Sequence, residues 1–165
     1  MAIRPLRLLG DPVLRTPCAL VTHFDDGVAR LVADLLDTVQ LPGRAGLAAP
    51  QIGVGLAAFS YNVEGRLGYV INPRIVEASG SYDGLEACLS VPGVSVERRR
   101  AAHAVVVGVD LDAQPVTVEG DDEMARCLQH ETDHLDGSLY IDRLLGQQRR
   151  SAMRQIRAAQ FAGRL

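Results

Sequence analysis

Lysine is absent from this chain; all 17 basic residues are arginine. We read the absence as a coding bias, so positive charge in any one segment carries little functional weight by itself. Charge is nearly balanced, with 20 acids against 17 arginines. The formal net charge is -3, and bulk electrostatics therefore point to no nucleic-acid or membrane partner. No apolar run approaches the roughly 20 residues that a membrane span needs. The first residues, Met1 to Pro17, contain no continuous apolar segment of the secretory-signal type. Cysteine is scarce, with Cys18, Cys88 and Cys127 widely spaced. An odd number so placed is no disulfide framework. It suits a reducing compartment and leaves a thiolate free for a metal. Internal repeats, low-complexity tracts and linkers are missing as well. A cytoplasmic protein is the expectation.

What is present is ordinary for a folded domain. The chain has 165 residues, 47% hydrophobic and 22% charged, enough for one buried core. We expect residues 1–165 to form a single domain. A helix over Asp26 to Gln40 follows from Val28, Leu31, Val32, Leu35, Leu36 and Val39 at helical spacing. Residues 54–61, 68–72, 74–79, 94–97, 103–111 and 115–119 read as strands. Asn72-Pro73 is expected to end the second of these, and Ser79 to Gly84 to form a loop. A last helix is expected over Leu144 to Ala162, with Leu145, Met153, Ile156 and Phe161 facing inward. Strands precede a late helix with little βαβ alternation. That order predicts an α+β fold, with antiparallel β-sheets packed around a central helix and a C-terminal helix beside them.

The central helix is expected over Asp122 to Leu135. Asp121, Asp122 and Glu123 place negative charge at its start, which the helix dipole favours, and Gly137 can end it. It carries Gln129-His130-Glu131-Thr132-Asp133-His134, a His-Glu-x-x-His pattern. Residues four apart on a helix lie about 40° apart around the axis and about 6 Å along it. His130 and His134 can thus grip one metal ion, with Glu131 beside them to handle the proton of an attacking water. The bland alternative is two histidines together by chance. A third ligand decides between them, and the residues alone leave Cys88, Cys18, Cys127 and the carboxylates open. Cys88 stands between Glu86 and Ser90 in a polar turn region suited to a ligand loop. Cys18 and Cys127 read as small buried hydrophobes.

Three segments in order resemble the peptide deformylase family: Gly46-Leu47-Ala48-Ala49-Pro50-Gln51, Glu86-Ala87-Cys88-Leu89-Ser90, and Gln129 to His134. Leu8 to Arg15 is similar to the family's N-terminal segment. The resemblance implies a metal-dependent hydrolase that removes the N-formyl group from formylmethionyl nascent peptides and releases formate. It makes Cys88, His130 and His134 the ligands of one divalent metal ion. Ferrous iron would be the physiological ion, with zinc, nickel or cobalt possible in purified protein. Glu131 becomes the general base and then acid. The Gln51 side-chain amide and the Leu89 backbone N–H become the donors to the developing oxyanion. Gly46, Gln51 and Leu89 contact the substrate, whose backbone pairs in extended form beside Gly46.

Two positions depart from the family pattern. Arg44 stands where a glycine usually opens the first motif, at a steric cost if that position needs positive φ. It either reaches over the cleft rim or is a solvated loop residue. Ala87 replaces a glycine beside Cys88 and would narrow the methionine pocket or shift the loop. Glu86 is expected to pair within Arg98-Arg99-Arg100, with Arg100 favoured, and to hold the cysteine loop. Asp133 either orients a ligand or is a surface acid. The last helix has a basic face, Arg149, Arg150, Arg154, Arg157 and Arg164, with no acid after Asp142. In some family members this helix docks on the ribosome; the alternative is a solvated amphipathic helix. Competing readings of the whole chain are a relative acting on another N-formyl substrate, an ordinary zinc peptidase, and a catalytically silent ribosome- or peptide-binding protein.

Overall fold

Alternation along the strands sends successive side chains to opposite faces of one sheet. Ala48, Phe59 and Val70 face one way, and Leu47, Ala58 and Ile71 the other. Both faces are apolar, so both need cover. In the computed structural model, which describes residues 2–161 and Gly163, a helix lies on each. Helix α1 (Asp26–Val39) covers one face with Val28, Leu31, Val32, Leu35 and Val39. Helix α2 (Asp122–Leu135) covers the other with Met124, Ala125, Cys127, Leu128 and Leu135.

The sheet comprises β1 (Gly46–Ala48), β2 (Ala58–Val63), β3 (Arg66–Ser79), β6 (His103–Val109) and β7 (Pro115–Asp121). They lie in that order, every pairing antiparallel. Strands β4 (Tyr82–Ala87) and β5 (Ser95–Arg100) form a separate two-stranded sheet. Helix α3 (Gly146–Phe161) packs with β5 through Val96, Ala152 and Ile156, in one cluster with Leu144 before the helix. The fold is α+β, as the order of elements predicts.

The helix ends have local causes. Asp25 caps α1, its carboxylate accepting from the N–H groups of Gly27 and Val28 at 2.8 and 3.0 Å. Gly137 (φ 73°) stops α2, and its N–H donates to His134 O at 3.1 Å. A side chain there would also collide with the Arg15 carbonyl.

Several strand expectations need correction. Asn72-Pro73 does not end a strand, because β3 runs through it. The pairing with β6 shifts between Ile71 and Arg74, and that bulge absorbs the missing proline N–H. Asn72 takes φ 51° there. Its side chain accepts from Val21 N–H at 2.8 Å and donates to Val21 O at 2.9 Å. The expected loop from Ser79 to Gly84 is instead a short turn leading into β4. The strand expected over residues 54–61 is β2 and begins at Ala58, and the strand β1 before it was not expected. Helix α3 begins at Gly146, with Leu145 and Met153 exposed; Ile156 is buried as expected. Ala152 and Ala159 supply the rest of its inner stripe. The Phe161 side chain, Ala162 and Arg164 lie outside the described residues.

Candidate metal centre

Period-two geometry carries past the end of β4. Glu86 and Cys88 are buried while Ala87 between them is exposed, so the acid and the thiol enter the protein from one side. They meet α2, on which His130 and His134 are one turn apart. Cys88 Sγ lies 3.3 Å from His134 Nε2. One donor atom from each of Cys88, His130 and His134 falls within 4.8 Å of the others. Among the described residues this is the one group of histidines, cysteines and acids so placed. Cys18 and Cys127 stand apart from it; Cys127 is buried and its thiol donates to Ala45 O at 3.3 Å.

The surroundings fit one divalent ion. Thiolate and imidazole donors suit iron, zinc, nickel or cobalt. His130 Nδ1 sits 2.6 Å from Glu86 Oε1, the carboxylate–histidine arrangement that fixes a ring and leaves Nε2 for a metal. Burial acts against charge on His130, yet the negative charges of Cys88 and Glu86 raise its pKa well above the ordinary value. Burial, then the nearby His130 and Arg100 charges, hold His134 well below its ordinary value, and a neutral imidazole is what a ligand must be.

Glu86 is held in turn. Arg100 Nε donates to Glu86 Oε2 at 2.9 Å and Nη2 to Oε1 at 2.6 Å, a bidentate pair. Burial would raise the Glu86 pKa, but Arg100 and His130 outweigh it and lower it far below the usual carboxylate range. Arg100 Nη1 also donates to Asp133 Oδ2 at 2.7 Å. Among the described residues the Asp133 carboxylate makes no hydrogen bond to a histidine, and it reaches Glu86 and His130 through Arg100. Arg99 is exposed and pairs with Asp83.

Glu131 is buried, and its Oε2 has no partner among the described residues. Burial pushes its carboxyl up to about 7. It packs against Gly46, where a Cβ would overlap the Glu131 carboxylate. Gln51 is buried beside it. Its Oε1 accepts from Ala48 N–H at 2.8 Å, which orients Nε2 toward Ser90 Oγ at 3.2 Å and Cys88 Sγ at 3.6 Å.

These groups open on a cavity of about 540 Å³ whose walls include Gly46, Gln51, Cys88, Leu89, His130 and Glu131. Ala87 and Arg44 line it too. Arg44 has no positive φ, so the expected strain is absent. Its Nη1 donates to Thr38 O at 2.9 Å at the end of α1, where a cation suits the dipole.

Three features of the site are not evident from the sequence. Ser90 receives the Gln51 amide, and its place beside Cys88 was the available signal. Arg126 lines the cavity, one turn before His130 on the same helix face. Finally, residues 7–18 tie all three motifs together. Arg7 N–H donates to Gln51 O, Leu9 N–H to Ser90 O and Cys18 N–H to Leu135 O, each at 2.8 Å. Backbone donors leave no mark in a sequence.

The fold and cluster define a small α+β protein with a buried Cys-His-His group at the base of a cleft. The model of the polypeptide deformylase family matches residues 3–150. A peptide deformylase of Acidothermus cellulolyticus is 53% identical over 163 residues, covering 99% of this chain and 91% of that protein. Peptide deformylase 2 of Streptomyces coelicolor is 47% identical, covering 96% and 92%. Among solved structures, a peptide deformylase from Legionella pneumophila superposes with a TM-score of 0.90 at 35% identity, covering 98% of each chain. That from Thermus thermophilus gives 0.89 at 37% identity, covering 99% of this chain and 98% of the other. The chain belongs to the polypeptide deformylase family. No described helix is long and apolar enough to cross a membrane.

Proposed function

We propose that this chain, acting as one catalytic domain in the cytoplasm, removes the N-formyl group from formylmethionyl nascent peptides. Family membership supports the reaction. The observation that carries the residue assignment is the buried Cys88–His130–His134 cluster opening on the cavity that holds Glu131 and Gln51. Cys88, His130 and His134 would hold one divalent ion, ferrous iron as the family resemblance implies, which would supply Lewis acidity and lower the pKa of water.

The chain's own residues do the rest. Glu131 takes the proton of the attacking water through its unpartnered Oε2. The water oxygen bonds to the formyl carbon, the carbon–nitrogen bond breaks, and Glu131 passes the proton to the departing amine. Gln51 Nε2 and the Leu89 N–H donate to the oxygen that gains charge; losing one such donor costs roughly 100- to 1000-fold in rate. Strand β1 is the edge of its sheet, which supports an extended peptide pairing alongside Gly46. Leu85, Leu89, Pro92 and Cys127 give the cavity an apolar wall for the methionine side chain. Glu86, Arg100 and Asp133 position His130 through the hydrogen-bond chain described above. The exposed Arg149, Arg150, Arg154 and Arg157 of α3 support a contact with ribosomal phosphates, and salt-sensitive pelleting with ribosomes tests it.

The reaction is tested by formate release from formyl-Met-Ala-Ser against other N-formyl compounds, using anaerobically purified, iron-loaded protein. Preference for the formylmethionyl peptide is expected. Equal turnover of the others would overturn the substrate assignment, and peptide-bond cleavage without formate would overturn the reaction.

A further inference from the structure

Three consecutive arginines end β5, and they do three different things. Arg100 is saturated by Glu86 and Asp133. Arg99 lies in solvent with Asp83. Arg98 is the unusual one. Its side chain is only 10% exposed, and its Nη2 reaches Asp133 Oδ2 at 3.1 Å. Its Nη1 is buried and has no acceptor among the described residues. Asp133 Oδ2 already serves Arg100, so one carboxylate oxygen answers two guanidinium groups. Burial first, and the Arg100 charge second, lower the Arg98 pKa. Asp133 and Glu86 supply the negative charge nearby, but neither gives Nη1 an acceptor.

Arg98 borders a cavity of about 470 Å³ between the end of β5 and the start of α3. Arg143 and Gln148 stand on its other side. Both are exposed, and neither has an ion pair or side-chain hydrogen bond among the described residues. Gln129 also borders the cavity, but its amide is fully engaged with the Ala101 and Ala125 backbone. No lining residue is an acid, and none is shared with the cleft that holds Glu131. Arg98, Arg143 and Gln148 thus border a space with no acid in its own lining, the nearest acids being Asp133 on Arg98 and Asp83 and Glu97 in the adjoining cavity.

We propose that this cavity binds a phosphate group, with Arg98 and Arg143 as its cationic contacts and Gln148 as a neutral donor. Two cations without a lining acid match a dianion better than a single carboxylate. Guanidinium forks match tetrahedral oxyanions in bidentate fashion. The group comes either as free phosphate or on a phosphorylated larger molecule such as RNA.

The test is calorimetric titration of metal-loaded protein with inorganic phosphate at fixed ionic strength, repeated on Arg143→Gln. Arg143 is exposed and outside the cleft, so its variant is expected to melt as the wild type does. Saturable binding, weakened roughly tenfold by Arg143→Gln, is the expected result. Arg98→Met, with its melting temperature measured alongside, should weaken phosphate binding further. A short RNA that phosphate displaces, and that Arg143→Gln weakens, would support the site and name RNA as the source. Phosphate binding with no RNA binding would support the site and name the free anion. Lack of saturable binding, binding that Arg143→Gln leaves unchanged, or RNA binding that phosphate does not displace would each overturn the proposal.

Discussion

Helices α2 and α3 are close in length, 14 and 16 residues, and are used in opposite ways. In α2, eight residues from Met124 to Leu135 are buried, among them His130, Glu131 and His134. In α3, burial falls on Ala152, Ile156 and Ala159 among residues 146–160, and the arginines face out. On a helix enclosed by a sheet on one side and the loop after β4 on the other, most buried polar groups need protein partners, although Glu131 Oε2 and His134 Nδ1 have none among the described residues. That requirement ties His130 to Glu86, Glu86 to Arg100 and Arg100 to Asp133. A surface helix faces no such demand, and water answers its arginines.

The contrast predicts a graded response to substitution. The largest effect belongs to Glu131→Gln, expected to lower formate release roughly 100- to 10,000-fold while metal content stays at wild-type level. Loss of the metal in that variant would move Glu131 from proton transfer to the ligand set. Next comes Glu86→Ala, which leaves Arg100 and His130 without their buried carboxylate. A loss of about 3–5 kcal/mol in denaturant unfolding is expected, with weaker metal retention. A neutral outcome would mean that the chain from His130 to Asp133 is dispensable. Within the cores, Leu128→Ala should cost about 2–5 kcal/mol. Ile156→Ala should cost less, because α3 can shift to fill the space, and equal losses would break the comparison. Smallest of all, Arg154→Gln should leave the melting temperature unchanged, and a clear drop would show that α3 carries more structural demand than its burial implies.

The same contrast explains what was readable in the sequence. Helix α2 begins and ends where Asp122, Glu123, the apolar spacing and Gly137 place it, because its signals are local and dense. In helix α3 the spacing places Leu145 and Met153 inward, because the true inner stripe depends on two alanines that carry little hydrophobic contrast. Strand β4 was hidden by Asp83 and Gly84, which read as loop. Only its pairing with β5, six residues against six, makes it a strand. The course of β3 through Pro73 depends on Asn72 gripping Val21, a contact 51 residues away in sequence that no window can see. In the candidate site, the two histidines and Glu131 were legible from helical spacing alone. The cysteine was not, since spacing left Cys18, Cys88 and Cys127 open, and the family resemblance made the choice. Geometry then separates them: Cys88 lies against His134, and the other two do not.

Helix α2 and the loop after β4 are expected to hold one metal ion between them. X-ray absorption on anaerobically purified, zinc-loaded protein tests this most directly. The predicted shell has one sulfur at about 2.3 Å and two imidazole nitrogens at about 2.0–2.1 Å, with the sulfur lost in Cys88→Ser. A shell without sulfur, or one whose sulfur persists in Cys88→Ser, would contradict it.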